Sequence, residues 1–147
     1  MSGIIELGEA VDVALVETME GMAFTDVERV EEGDLAELAE DALWARIEVI
    51  EPAAGELVLL MGEELAGELE EATTGEFSSG LATRLEVLGE ILNTLAGSWA
   101  RHLVPDGTPI ALGIPKTGQG SWAGGAEYQL AIYETDDEER IVLALKR

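Results

Sequence analysis

Residues 80–103 read GLATRLEVLGEILNTLAGSWARHL, and their apolar spacing predicts one long helix. At about 100° per residue, Leu85, Leu88, Leu92, Leu95, Ala96, Trp99 and Leu103 fall in a single broad stripe suited to packing on a sheet. Pro105 and Gly107 then block continuation. Glu86, Glu90, Asn93 and Gly97 stand on the opposite side at i, i+4, i+7 and i+11, so they share one exposed line along the helix. Glutamates are ordinary on such a face. Asn93 is less expected, because its side chain competes for backbone hydrogen bonds. Gly89 and Gly97 each cost about 0.8–1 kcal/mol relative to alanine in a helix interior. Gly97 lies on the acidic line and Gly89 at its edge, where the missing side chain lets another backbone or side chain come close. The face is either a plain solvated surface or a docking face, rather than a pocket, that carries two chemically useful side chains.

The elements around this helix set the fold class. Residues 4–22 place Leu7, Val11, Ala14 and Met22 near one helical stripe, which predicts an amphipathic first helix. Residues 24–30 alternate weakly, and EEGDLAELAED (31–41) is ambiguous between a loop and a short helix. In 43–51, Leu43, Ala45, Ile47 and Val49 point one way, while Trp44, Arg46, Glu48 and Ile50 point the other. With the turn PAAGE and the apolar run 56–61 they form a β-hairpin. Residues 62–72 read as a short helix with Leu65 and Leu69 at i, i+4, and Ser78 or Ser79 can cap the long helix that follows. Three strands are expected after it: TPIALGIP (108–115), AEYQLAIYE (126–134) and RIVLALK (140–146), the last two joined by the turn TDDEE. The order helix, strands, two helices, strands defines an α+β fold, a largely antiparallel sheet with long helices packed on one face. The 147 residues show no internal repeat and no splitting linker, so a single domain over 1–147 is expected.

Composition narrows the function. Hydrophobic residues make up 47% of the chain, enough for a real core. Thirty-one acids against 8 Lys and Arg give a formal net charge of -23. Such a surface repels phosphate backbones and anionic lipid, so nucleic acid and membrane are poor partners. The acidity serves solubility, a saline habitat, or steering toward a basic partner. The chain has no cysteine, which removes disulfides, thiol nucleophiles and cysteine metal sites. No basic leader or span of ~20 apolar residues is present, so the cytoplasm is the expected location.

The chemistry available is limited. Asn93 cannot act as a base near neutral pH, but its amide carries donors and an acceptor that can hold and aim a water. Glu90 can pair with a lysine or take part in proton transfer. No His or acid cluster has metal-ligand spacing, and the lone His102 suits the C-terminal end of the helix dipole. An enzyme built this way needs its substrate to supply the metal and much of the site, which points to a protein substrate.

These residues carry a resemblance. LGEILNTLAG is similar to the signature of the CheC/CheX/FliY chemotaxis phosphatases: an E-x-x-N in a helix, a following Ala-Gly, and an acid or serine four residues before the glutamate. The matching positions are Glu90, Asn93, Ala96-Gly97 and Glu86. The family pattern also has a proline about two dozen residues beyond the asparagine, close to Pro115. The preceding strand and short helix agree, and the resemblance covers roughly residues 5 to 145.

It implies dephosphorylation of a CheY-like response regulator, whose phospho-aspartate lies beside the regulator's own Mg²⁺ and lysine. Asn93 would orient the attacking water and Glu90 would pair with that lysine. Glu86, Gly89, Gly97 and Pro115 would contact the partner, and the chain would need no metal or cofactor of its own. CheC-type members carry a second E-x-x-N in the first long helix. Here VETMEGM has Glu17 but also Glu20 in place of the asparagine, which implies one active motif and the CheX-like branch. Membership there implies a homodimer paired through strands, with 126–134 or its neighbours supplying an edge. The alternative is a non-catalytic regulator-binding module, or a structural subunit of a chemotaxis or flagellar assembly. Last, GIPKTGQGSWAGG lacks the P-loop order and reads as a mobile loop that could touch a docked partner. The three tryptophans, Trp122 among them, read as core or interface residues.

Overall fold

The computed structural model of the chain describes residues 3–23, 26–30, 42–51, 54–75, 80–103, 107–120, 128–136 and 138–146. Segment 31–41, the Ser78/Ser79 cap, Trp122 and the side chains of Leu7 and Leu103 lie outside that description. The elements run α1 (Gly3–Ala23), β1 (Val27–Val30), β2 (Ala42–Glu51), β3 (Gly55–Gly62), α2 (Glu63–Thr74), α3 (Leu81–Leu103), β4 (Ala111–Leu112), β5 (Lys116–Gln119), β6 (Gln129–Thr135) and β7 (Arg140–Lys146). Every pairing in the sheet is antiparallel, in the order β1-β6-β7-β3-β2-β4, with β5 also on β2. This is the α+β architecture that the order of elements predicts.

Strand alternation decides which residues meet the helices. Leu43, Ala45, Ile47 and Val49 of β2, Leu57, Leu59 and Met61 of β3, and Ile141, Leu143 and Leu145 of β7 form one core with the helices. Val11, Ala14, Leu15 and Met19 of α1 join it, as do Leu65 and Leu69 of α2 and Leu88, Ile91, Leu92, Leu95, Ala96 and Trp99 of α3. On the other face Trp44, Leu60, Val142 and Ile132 stand in register across four strands, beside Val58 and Ala144.

The helix ends follow local chemistry. Gly62 enters α2 in an extended conformation, and Glu63 and Glu64 complement the dipole in the first turn. Gly75 closes α2 in the left-handed region, φ 80°, donating its N–H to the Glu71 carbonyl at 2.8 Å. Arg101 and His102 occupy the last turn of α3; His102 Nε2 lies 3.5 Å from Glu17 of α1.

The chain after α3 departs from the sequence reading in two places. Of the expected strand 108–115, only Ala111–Leu112 pairs with β2. Pro109 and Pro115 lack the N–H that a ladder needs. The register also shifts between Val49 and Glu51, and the Gly113 N–H goes to the Glu48 carbonyl at 2.8 Å. Conversely, the expected loop from Lys116 contains β5, paired with β2 from Leu43↔Gln119 to Arg46↔Lys116. Strand β6 lies one place in from the edge, its residues Ile132–Thr135 covered by β1. The edges of the described sheet are therefore β1 and β4/β5.

One polar cluster ties α1 to the sheet. Tyr133 of β6 is 1% exposed, and its hydroxyl donates to Oδ1 of Asp12. Arg29 of β1 donates to the same oxygen at 3.1 Å. Burial first, then the Asp12 hydrogen bond and charge, push the Tyr133 hydroxyl well above its ordinary 10. Because the folded value lies above the unfolded one, the stabilisation is complete below about pH 10 and falls as pH rises beyond it. Tyr133→Phe is expected to lose about 1.5 kcal/mol at pH 7 and to show a shallower loss above pH 10. Urea titrations from pH 7 to 11 read both; parallel curves for variant and wild type would contradict the assignment.

Candidate functional site

The α3 stripe faces inward as its spacing requires. Leu88, Leu92, Leu95, Ala96 and Trp99 are at most 2% exposed. Val87, Ile91 and Ala100 are buried too, because α3 packs against α1 and α2 as well as β2. The side chains of Glu86, Glu90 and Asn93 are exposed along the opposite line, with Thr94 beside them.

This line is one wall of a cleft of about 680 Å³. Leu85, Glu86, Gly89, Glu90, Asn93 and Thr94 line it from α3, and Gly113, Ile114, Pro115 and Thr117 from the chain leading into β5. The sequence reading expected a bare face; the structure adds a second wall. Pairing of β5 with β2 builds that wall. Gly118 sits opposite Trp44 in this ladder, where an added Cβ would come within 2.4 Å of the indole. The glycine that argues against a strand is thus what lets the tryptophan lie flat across one.

Of the six sequence-predicted site residues, the cleft gathers Glu86, Gly89, Glu90, Asn93 and Pro115. Gly97 lies outside its lining, half-buried one turn further along α3. Gly89 is buried beside the second wall, where an added Cβ would stand in ordinary contact, 3.5 Å from Thr117 Cγ2 and 3.7 Å from Pro115 Cβ. Ile114, which the sequence reading passed over, is 86% exposed on the lip. An isoleucine between Gly113 and Pro115 carries no periodicity that would mark it.

Neither helix glycine is required by the chain's own packing. The Cβ contacts at Gly89 are of ordinary length, and at Gly97 the nearest atom is Arg101 Nη1 at 3.8 Å. Gly97→Ala is expected to stabilise the fold by about 0.8 kcal/mol, raising the melting midpoint by about 2–3 °C. Calorimetry reads this directly. A lowered midpoint would show that the glycine does meet a need of the fold.

The cleft has two carboxylates and no cation in its lining. It therefore suits an incoming cationic side chain and opposes a free phosphate. Among the described residues no group of three or more His, Asp or Glu is arranged to hold a metal ion. No helix among them is long and apolar enough to cross a membrane.

Among the described residues, a seven-stranded antiparallel sheet with three helices makes a CheC/CheX-like fold. Solved structures of chemotaxis proteins share it over nearly the whole chain. CheX from Vibrio vulnificus superimposes with a TM-score of 0.78 at 16% identity, covering 95% of each chain. A CheC-like protein from Shewanella sp. PV-4 gives 0.76 at 17%, covering 96% of each. The CheX of a CheX–CheY–BeF3–Mg²⁺ complex from Borrelia burgdorferi gives 0.71 at 14%, covering 95% of this chain and 97% of that one. No family model matches the chain, and no curated protein sequence matches it significantly.

Proposed function

We propose that this chain dephosphorylates the phospho-aspartate of a CheY-like response regulator. The observation that carries the reading is the shared exposure of Glu90 and Asn93 on one wall of an anionic cleft. A fold neighbour solved in complex with CheY, BeF3 and Mg²⁺ supports it. The site has little else to work with, so its catalysis is positioning of reactants already assembled on the regulator.

Glu90 would accept the regulator's lysine, which the anionic cleft attracts. Asn93 would hold a water in line with the acyl phosphate. The water oxygen bonds to phosphorus as the bond from phosphorus to the aspartate oxygen breaks. The aspartate leaves as carboxylate, and the protons of the water stay with inorganic phosphate and solvent. Mg²⁺ comes with the regulator, neutralising charge on the phosphoryl oxygens that the cleft lacks cations to meet. As part of the same proposal two copies associate through the sheet edge at β1, the neighbour of β6, where backbone groups lack a strand partner among the described residues. Sedimentation velocity tests that part.

The test of function is the decay of phosphorylated regulator with and without the protein. Faster decay with it supports catalysis. Binding with unchanged decay leaves a sequestering module, and neither leaves a structural subunit.

A further inference from the structure

Beside the cleft, across the ridge made by Gly113 and Ile114, lies a second recess of about 310 Å³, lined by Arg46, Glu48, Gly113, Ile114 and Lys116. Gly113 and Ile114 border both recesses. Arg46 and Lys116 face each other directly in the β2–β5 ladder. Like charges opposed across strands are unfavourable, and this chain has only 8 Lys and Arg against 31 acids. Arg46 is partly offset by Glu56, with Nε and Oε2 3.8 Å apart, and Glu48 lines the recess with it. Lys116 is exposed and has no ion pair with a described residue. The ridge is held firmly, by the Gly113 N–H to Glu48 on one side and by β5 on the other.

We infer that the Arg46–Lys116 recess binds a carboxylate side chain of the same regulator that occupies the cleft, with Ile114 as the apolar contact between them. The inference rests on the proposed function and adds a partner pattern: a cation for the acidic cleft on the α3 side, an apolar surface for Ile114 on the ridge, and an anion for the basic recess on the sheet face away from α3. A chain of net charge -23 approaching an acidic, phosphorylated pocket meets long-range repulsion. A local basic recess beside the cleft opposes that repulsion where the two surfaces meet and sets orientation.

The experiment measures binding of a CheY-like regulator held active by beryllofluoride and Mg²⁺, at low and high KCl. Wild type is compared with Lys116→Gln, Lys116→Glu, Lys116→Arg and Ile114→Ser. Arg140→Gln serves as a control that removes the same charge on β7, two strands from β2, where Arg140 pairs with Glu134. Lys116→Gln is expected to weaken binding about threefold to tenfold, and Lys116→Glu more than that. Both losses shrink in high salt, Lys116→Arg restores affinity, and Ile114→Ser weakens binding at either salt. In the decay assay the Lys116 losses fall on half-saturation rather than on the maximal rate. Lys116→Glu binding within twofold of Arg140→Gln at low salt overturns the inference while leaving the phosphatase reading standing. A wild type that neither binds nor accelerates decay overturns both.

Discussion

Asn93→Ala is expected to slow dephosphorylation by about 10²-fold, the order of loss that follows when a reactant is no longer held in line, while the regulator still binds. The side chain is exposed beside Glu90 on the cleft wall, so its removal leaves the α3 core contacts intact. Alanine has the higher helix propensity, and the variant should therefore fold at least as well as wild type. Only the amide that would hold the water is lost. Glu90→Ala should differ in kind: on the proposed function it would remove the partner of the regulator's lysine and so reduce affinity as well as rate. Stopped-flow decay of the phosphorylated regulator, with binding measured separately, resolves the two. Wild-type rates from Asn93→Ala would remove the amide from the mechanism.

Arg84→Met is expected to cost about 3–5 kcal/mol, the usual consequence of taking one partner from a buried ion pair. For a chain of this size the melting midpoint falls by about 10–15 °C. Arg84 of α3 is 13% exposed; it donates to Glu63 at 2.9 Å, and its Nε lies 3.6 Å from Glu70. Glu70 is 1% exposed. The guanidinium lies over Gly67, where a Cβ would stand 3.5 Å from Nε, so α2 is clamped to the start of α3 just before Glu86. Replacing both charges, Arg84→Met with Glu70→Leu, should recover much of the loss, since an apolar pair of similar volume needs no desolvation. Thermal unfolding followed by circular dichroism compares the three proteins. An Arg84→Met midpoint within about 3 °C of wild type would place the clamp outside the stability of the fold.

Gly97→Ala, expected to be more stable, also tests the site. If the regulator's surface approaches α3 closely there, the added methyl lowers affinity while the midpoint rises. Sites that need close approach commonly trade stability in this way.

Local periodicity was enough to assign α1, α2 and α3, the β2–β3 hairpin, the strands β6 and β7, and the outward line of Glu86, Glu90 and Asn93. A residue's neighbours within seven positions settle which side of a helix or strand it occupies, and burial of the apolar side then forces the polar side outward. The second wall of the cleft was not legible in this way. It depends on Lys116–Gln119 pairing with Leu43–Arg46, some seventy positions earlier, and on Gly118 leaving room for Trp44. Local composition at 116–120 argues for a loop, and only the pairing of distant segments outweighs it. The same long-range pairing turned a helix face into a cleft, buried Gly89 beside its second wall, and set Arg46 and Lys116 opposite one another across the ridge from the cleft.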